Sequence, residues 1–311
     1  MDIQAGQSRW IETFDSLARR QSVAAWGIAR AQPLPLHVVD TMERWVQAGH
    51  HADMDYLSRH VRLKANTGNV LSGCQSVISL AFPYPSKIET SPGACVVSRH
   101  AVSDDYHNVL RRQLPALCRF IEETMGGKTR VCVDSAPVAE RFWAAQCGVG
   151  TPGRNGLLYV PGYGSWVFLA EILTTARLPE RNGGAGESTH SLCGDCDRCQ
   201  RHCPGRALAG DGTLDSRRCR AYLTIECRAE QLPPDVKLGR RIYGCDICQE
   251  VCPLNEGVDA RDTCFTPREE LLWLTADKIT SLTPGEFSDL TRGTSMERIA
   301  LWQLRRNLRS Q

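Results

Sequence analysis

This chain lacks any marked excess of charge. Its formal net charge is +2 over 311 residues, so it carries no global basic field, and a nucleic-acid partner has to be held by a local basic face. No leader is expected: Met1-Asp2-Ile3-Gln4-Ala5-Gly6-Gln7 has no basic-then-apolar layout, and Ser8 to Phe14 reads as the first turns of an amphipathic helix. It lacks a long apolar run. Stretches such as Val23 to Ala29 are far too short to span a bilayer. Long-period repeats and low-complexity tracts are absent too. The expectation is a cytoplasmic protein with no membrane contact.

What is present is a globular composition, 42% hydrophobic and 23% charged, with length for one large domain and a smaller one. Fifteen cysteines stand out. In a reducing compartment disulfides are disfavoured, which leaves metal or cluster ligation. Five of them, Cys74, Cys95, Cys118, Cys132 and Cys147, are scattered before residue 190, and the other ten crowd into residues 191–264. The Gly-rich stretch Arg181 to Ser188 reads as a linker between the two regions.

The first region alternates strand-like and helix-like segments. Ser76 to Phe82 and Thr129 to Val133 read as strands, Asn108 to Glu123 as a helix. Gly156 to Val160 and Ser165 to Leu169 flank a Pro161-Gly162-Tyr163-Gly164 turn and are expected to pair. The fold class is α/β (α+β), followed by a ferredoxin-like segment and short C-terminal helices, one from Pro284 and one within Met296 to Leu308. The expected division is 1–185, 186–260 and 261–311.

Chemistry is carried first by Cys193, Cys196, Cys199 and Cys203-Pro204. This is C-x2-C-x2-C-x3-C-P, the bacterial ferredoxin run, whose fourth cysteine ligates the other cubane in two-cluster proteins. A second run, Cys245, Cys248 and Cys252-Pro253, is one ligand short. Two four-iron clusters need eight thiolates, and the eighth has to come from Cys219, Cys227 or Cys264. Cys219, between the runs, is favoured. Exchange then assigns Cys193, Cys196, Cys199 and Cys252 to one [4Fe–4S] cluster and Cys203, Cys219, Cys245 and Cys248 to the other. Structural zinc also uses C-x2-C pairs, but fits a four-cysteine run closed by proline poorly.

Other features carry less. Gly148-Val149-Gly150-Thr151-Pro152-Gly153 matches a dinucleotide fingerprint, yet follows a helix-like segment and contains proline, so a turn is the better reading. Asp134 falls at a strand end, where sites gather, although Asp134 or Ser135 also suits a helix cap before Pro137. His107 reads as a surface or hydrogen-bonded histidine, and His202 as a residue that shields or tunes a cluster. Arg217, Arg218, Arg220, Arg240, Arg241, Arg298, Arg305, Arg306 and Arg309 form either a phosphate-binding stripe or ordinary solvated charge.

Taken together, Met54-Asp55-Tyr56-Leu57, Asp105-Tyr106-His107, the block from Val133 to Arg141, Gly164 to Thr174, Cys219 to Glu226 and Tyr243 to Asn255 resemble the epoxyqueuosine reductase family, in matching order over residues 54–255. The resemblance implies reduction of epoxyqueuosine to queuosine at the wobble base of tRNA by cob(I)alamin fed from two [4Fe–4S] clusters. It implies Cys219 as the eighth ligand and Asp134 as proton donor, with an acidity expected to be weakened by burial and nearby negative charge. It implies a cobalamin held by Lys64, Arg99, Asp134, Arg141, Arg154, Asn155 and Asp246. A monomer is expected, served by an electron donor such as flavodoxin or ferredoxin.

This chain departs from the family at Gly150-Thr151-Pro152-Gly153-Arg154-Asn155, where many relatives carry Gly-Trp-x-Gly-Lys-Asn, at Ala170 in place of glycine, and at Arg220. It is also expected to lack the helical-repeat extension of longer members. The competing expectations are a corrinoid reductase of a small molecule, similar to reductive dehalogenases, and a ferredoxin-type electron-transfer module.

Overall fold

The computed structural model describes residues 3–181, 191–259 and 263–310. Most of the linker reading, and both expected domain boundaries, lie outside the described residues.

A four-stranded sheet organises the first region. Its order is Ala25–Arg30, Ser76–Pro83, Val167–Thr174, Thr129–Cys132, and every neighbouring pair is antiparallel. Ser76–Pro83 is buried throughout, which explains why it reads as an unbroken apolar run and not as an alternating one. Both faces are covered. On one, Ile78, Leu80, Phe82, Phe168 and Ile172 meet Trp10, Phe14, Leu117 and Ile121 from the helices Ile3–Arg20 and Pro115–Met125. On the other, Val77, Ala81 and Leu173 meet Trp143 and Ala144 from the helix Glu140–Gln146.

The layers touch closely at Gly27. A Cβ there would lie 1.9 Å from the Cys147 carbonyl oxygen, so glycine is what lets the end of the Glu140–Gln146 helix lie against the sheet.

Two expectations need correction. The helix from Asn108 to Glu123 is two helices, Tyr106–Gln113 and Pro115–Met125. Proline has no N–H for the first helix but suits the first turn of the second. The expected hairpin around Pro161–Gly164 is only a single bridge, Val160 to Gly164. Leu158–Tyr159 pairs instead with Thr151–Pro152, while Val167–Thr174 joins the main sheet.

The C-terminal helices do not stand apart. Ile279, Phe287, Met296, Leu301 and Leu304 share one core with Cys95, Val97, Ile242 and Tyr243, around the parallel pair Val96–Val97 and Arg241–Tyr243. The last helix is Leu301–Arg309, preceded by a short turn Ser295–Arg298. Among the described residues no helix is long and apolar enough to cross a membrane.

Candidate active site

Asp134 follows the strand Thr129–Cys132 in a left-handed conformation, φ +48°, which a non-glycine residue adopts at a cost. It is no helix cap. The helix begins at Glu140, with Ala139 as its cap residue. Glu140 reaches back instead: its Oε1 accepts the Asp134 N–H at 2.6 Å and fixes the bend.

The Asp134 carboxylate then meets His107. His107 Nε2 is 3.1 Å from Asp134 Oδ2, and His107 Nδ1 is 2.7 Å from Asp105 Oδ1. Asp105 also caps the Tyr106–Gln113 helix by accepting the His107 N–H. Tyr106 stacks on the imidazole at 4.1 Å and on Phe168 at 4.2 Å, which locks the ring in place. The result is a chain, Asp105–His107–Asp134, whose last carboxylate is half exposed.

Acidity along this chain runs against the expectation for Asp134. Burial pushes its carboxyl up, but the hydrogen bond and charge of His107, the charge of Arg298 and the Tyr106 hydroxyl together hold it below the usual carboxylate range. Burial works against a charged His107, yet its hydrogen bonds to Asp105 and Asp134 and their charges push it up to about 9. Burial, then the Asp134 charge, push Glu140 up to about 8. At neutral pH the proton sits on His107 and on Glu140, and Asp134 is ionised.

Around this chain gather residues from distant segments. Lys64, at the end of the helix Asp55–Lys64, lies beside Glu140, Arg141 and Asp134. Arg298 donates to Glu226 Oε1 at 2.7 Å, and its charge reaches Asp134 and Tyr56. Asp134 and Arg141 are open to water, yet burial among protein atoms is the leading influence on the acidity of both. Open side chains walled in on most sides describe a deep concavity.

The residues expected to hold cobalamin lie in neighbouring groups. Lys64, Asp134 and Arg141 meet at the concavity. Arg141 Nη1 donates to the Gly156 carbonyl, next to Asn155, whose Nδ2 is 3.1 Å from the Tyr159 hydroxyl. Arg99 pairs with Asp246 at 3.3 Å and Glu250 at 2.8 Å, and lies over the Trp166 ring. Arg154 lines a cavity further along with Asn155. This arrangement fits a corrin's many amide arms, and Arg99 Nε is buried without a hydrogen-bond partner, a donor ready for an amide carbonyl.

The thiols fall into two sets. A cavity of about 230 Å³ is lined by Cys193, Cys196, Cys199 and Cys252, together with Arg154, Asn155, Tyr159 and Leu192. The Tyr159 hydroxyl is 3.0 Å from Cys252 Sγ. Cys248 in turn has Cys245, Cys219 and Cys203 as neighbouring thiols. The second motif's last cysteine thus sits with the first motif, and the first motif's last cysteine with the second. Among the described residues no three ligating side chains converge as on one metal ion. Thiols spread around a volume suit a cubane better than a single tetrahedral zinc. Cys227 and Cys264 lie elsewhere: Cys227 packs beside Tyr222 and Leu223, and Cys264 bonds Gln113.

The remaining candidates resolve simply. A Cβ on Gly150 or Gly153 would lie 2.4 Å from the Tyr159 carbonyl oxygen and 2.5 Å from its ring, so these glycines admit a neighbouring strand and no dinucleotide. His202 is exposed and bonds the Arg198 carbonyl. Arg306 is buried and ties down the carbonyls of Leu223, Cys227 and Ala229, so it is not a phosphate contact. The sequence offered no role for Glu140 and Tyr106 on their own, left His107 as a surface or hydrogen-bonded histidine, and grouped Arg298 with a phosphate-binding stripe or solvated charge. The Asp105-Tyr106-His107 block was a signal for two of them; nothing local marks Arg298.

Comparison with known proteins bears on the whole arrangement. Residues 64–135 match the family model "Epoxyqueuosine reductase QueG, DUF1730", and residues 192–255 match "4Fe-4S double cluster binding domain". The chain is 38% identical over 270 residues to an epoxyqueuosine reductase of Synechococcus sp. (strain RCC307), covering 86% of this chain and 82% of that one. It is 36% identical over 304 residues to that of Gloeobacter violaceus, covering 95% and 93%. Among solved structures it is similar to an epoxyqueuosine reductase with a tRNA-Tyr epoxyqueuosine-modified stem loop, at TM-score 0.86 and 25% identity, covering 97% of this chain and 80% of that one. A Bacillus subtilis epoxyqueuosine reductase with its catalytic aspartate loop swung out of the active site matches at TM-score 0.84 and 25% identity, with the same coverage.

Proposed function

Because this chain belongs to the epoxyqueuosine reductase family, we propose that it is the oxidoreductase that reduces epoxyqueuosine to queuosine at the wobble base of tRNA. Two [4Fe–4S] clusters are its electron carriers. Cobalamin is the second cofactor in this reading, held by Lys64, Arg99, Asp134, Arg141, Arg154, Asn155 and Asp246. A bound cobalamin would supply a strongly reducing, nucleophilic cobalt.

The reaction consumes two electrons and two protons. The epoxide oxygen leaves as water and an alkene remains. The electrons come from an external one-electron donor through the clusters, and protons are the part this chain's residues handle. Asp134, half exposed to the concavity, is the group that faces the oxygen. It is ionised at rest, so it donates only after taking a proton from His107 Nε2, 3.1 Å away. Asp105 holds His107 in the orientation and charge state this needs. Glu140 fixes the Asp134 backbone through its N–H. The wobble nucleotide has to be splayed from its loop to reach such a recess, which an anticodon loop permits cheaply.

The observation that carries this reading is the Asp105–His107–Asp134 chain opening on a concavity beside two crossed sets of four thiols. The test is anaerobic turnover of an epoxyqueuosine-bearing stem loop by protein whose iron and cobalt are counted. Product is expected from wild type and not from Asp134→Asn with both metals retained. An active Asp134→Asn, or a colourless wild type that holds zinc, sinks the reading. Binding of the stem loop should also weaken steeply with salt, as phosphate contacts require and a small-molecule substrate would not.

A further inference from the structure

The helix Asp55–Lys64 has both of its ends within electrostatic reach of Asp134. Two residues fix its position. Lys64, at its end, lies beside Asp134, Glu140 and Arg141. Tyr56, at its start, has Glu226, Asp134 and Arg298 as its charged neighbours. These residues are eight positions apart, about 12 Å along a helix axis.

One side of this helix is unusual for a solvent-accessible face. Tyr56 and Leu63 are exposed large side chains, each 38% accessible. At helical spacing Tyr56, Arg59, His60 and Leu63 share one stripe. Tyr56 and His60 meet edge to face, ring centroids 5.7 Å apart at 70°, which steadies the partly exposed phenol. Arg59 and Arg62 are exposed alongside, and with Lys64 they outnumber the helix's one acid, Asp55. Aromatic faces interleaved with cations are the surface on which single-stranded nucleic acid stacks, its phosphates met by the cations.

We propose that this stripe is a stacking platform for the anticodon loop, with Tyr56 holding a base next to the flipped wobble nucleotide and Arg59 and Arg62 meeting the adjoining phosphates. The proposal rests on tRNA being the substrate. It adds a second requirement to catalysis: the neighbouring base has to be parked before the target base enters. Stacking needs a flat ring and not the phenol oxygen, so phenylalanine should serve and leucine should not.

The experiment measures binding of a fluorescein-labelled epoxyqueuosine anticodon stem loop by anisotropy, and turnover of the same RNA, for wild type, Tyr56→Phe, Tyr56→Leu, Tyr56→Ala and Arg59→Ala with Arg62→Ala. Iron, cobalamin absorbance and Tm are recorded for each. Tyr56→Phe should bind within about twofold of wild type. Tyr56→Leu and Tyr56→Ala should weaken binding about 5- to 150-fold, the range for loss of one base–aromatic stack. The salt slope should stay unchanged for the Tyr56 variants and fall for the double arginine variant. KM should carry most of the Tyr56 loss. Wild-type affinity in Tyr56→Leu and Tyr56→Ala overturns the proposal. So does loss of cobalamin with RNA affinity intact, which would make the stripe a cofactor wall. If wild type itself binds no stem loop, the functional reading falls and this platform with it.

Discussion

His107 sits between two carboxylates, and the charges around it decide when the site can work. An imidazole pushed up to about 9 from its ordinary 6.5 keeps its proton through the neutral range. The sign follows from that direction. The contribution of the charged form is full below about 6.5 and is lost as pH rises through about 9, when Asp134 has nothing left to receive. The kcat/KM for the stem loop should therefore fall on the alkaline side near pH 9 in wild type. His107→Gln should lower turnover by about 10²-fold or more, in the range for general acid–base groups, and abolish that alkaline limb. A variant that keeps both rate and limb would remove His107 from proton delivery. Part of this was legible in the sequence. Asp134 at a strand end and the Asp-Tyr-His block both pointed to the site. The direction of the Asp134 shift was not legible, because it depends on His107 from another helix and Arg298 from the C-terminal segment. No local pattern announces such neighbours.

Elements meet at places where a single atom is too many. Gly27 on the strand Ala25–Arg30 faces the Cys147 carbonyl at the end of the Glu140–Gln146 helix. Gly27→Ala forces the two layers apart, at a cost of about 1–3 kcal/mol in the usual range for overpacking. The same helix begins with Glu140, which holds the Asp134 N–H, so a lower Tm should come with lower turnover. An unchanged Tm for Gly27→Ala would mean the layers are looser than this packing implies. Glu171 offers a second element-scale test. It lies in the middle of Val167–Thr174, fully buried, opposite Ser79 and bonded to its hydroxyl at 3.1 Å, with its other oxygen unpartnered. Burial, then the Glu140 charge, push its carboxyl well above the ordinary 4.5. The folded chain keeps this proton while the unfolded chain releases it above about 4.5, so wild type loses stability as pH rises beyond that value. Glu171→Gln should melt higher than wild type at pH 8 and converge with it toward pH 4. The opposite trend would mean an ionised, compensated carboxylate. The central strand was readable from its apolar run. Neither Glu171's depth nor the break at Pro115 was, since helical spacing runs on through the proline and a lone glutamate reads as surface.

At the scale of the whole molecule, segments far apart in sequence complete each other's sites. The C-terminal turn supplies Arg298 to the concavity, and the last cysteine of each motif sits with the thiols of the other. The motif spacing pointed to that grouping of thiols, because ferredoxin runs send their fourth cysteine to the other cluster. The packing of the C-terminal helices against Val96–Val97 was not legible, since it rests on contacts across the length of the chain. Crossed ligation has a consequence that separates it from the simpler alternative in which each motif fills its own cluster. With crossing, Cys199 and Cys252 serve one cluster while Cys248 and Cys252 serve different ones. Cys199→Ala with Cys252→Ala should then leave about four iron atoms of about eight, and Cys248→Ala with Cys252→Ala should leave almost none. Without crossing the two results reverse, because Cys248 and Cys252 would share a cluster while Cys199 and Cys252 would not. Iron and sulfide counted on anaerobically reconstituted protein, with the absorbance of each double variant, decides between them. The surviving cluster in the first variant also has a place. In the crossed arrangement it is held by Cys203, Cys219, Cys245 and Cys248, with Asp246, between the last two in sequence, bonded to Arg99. That variant should therefore keep one cluster yet turn over slowly with an external donor, because one of the two relays has been removed.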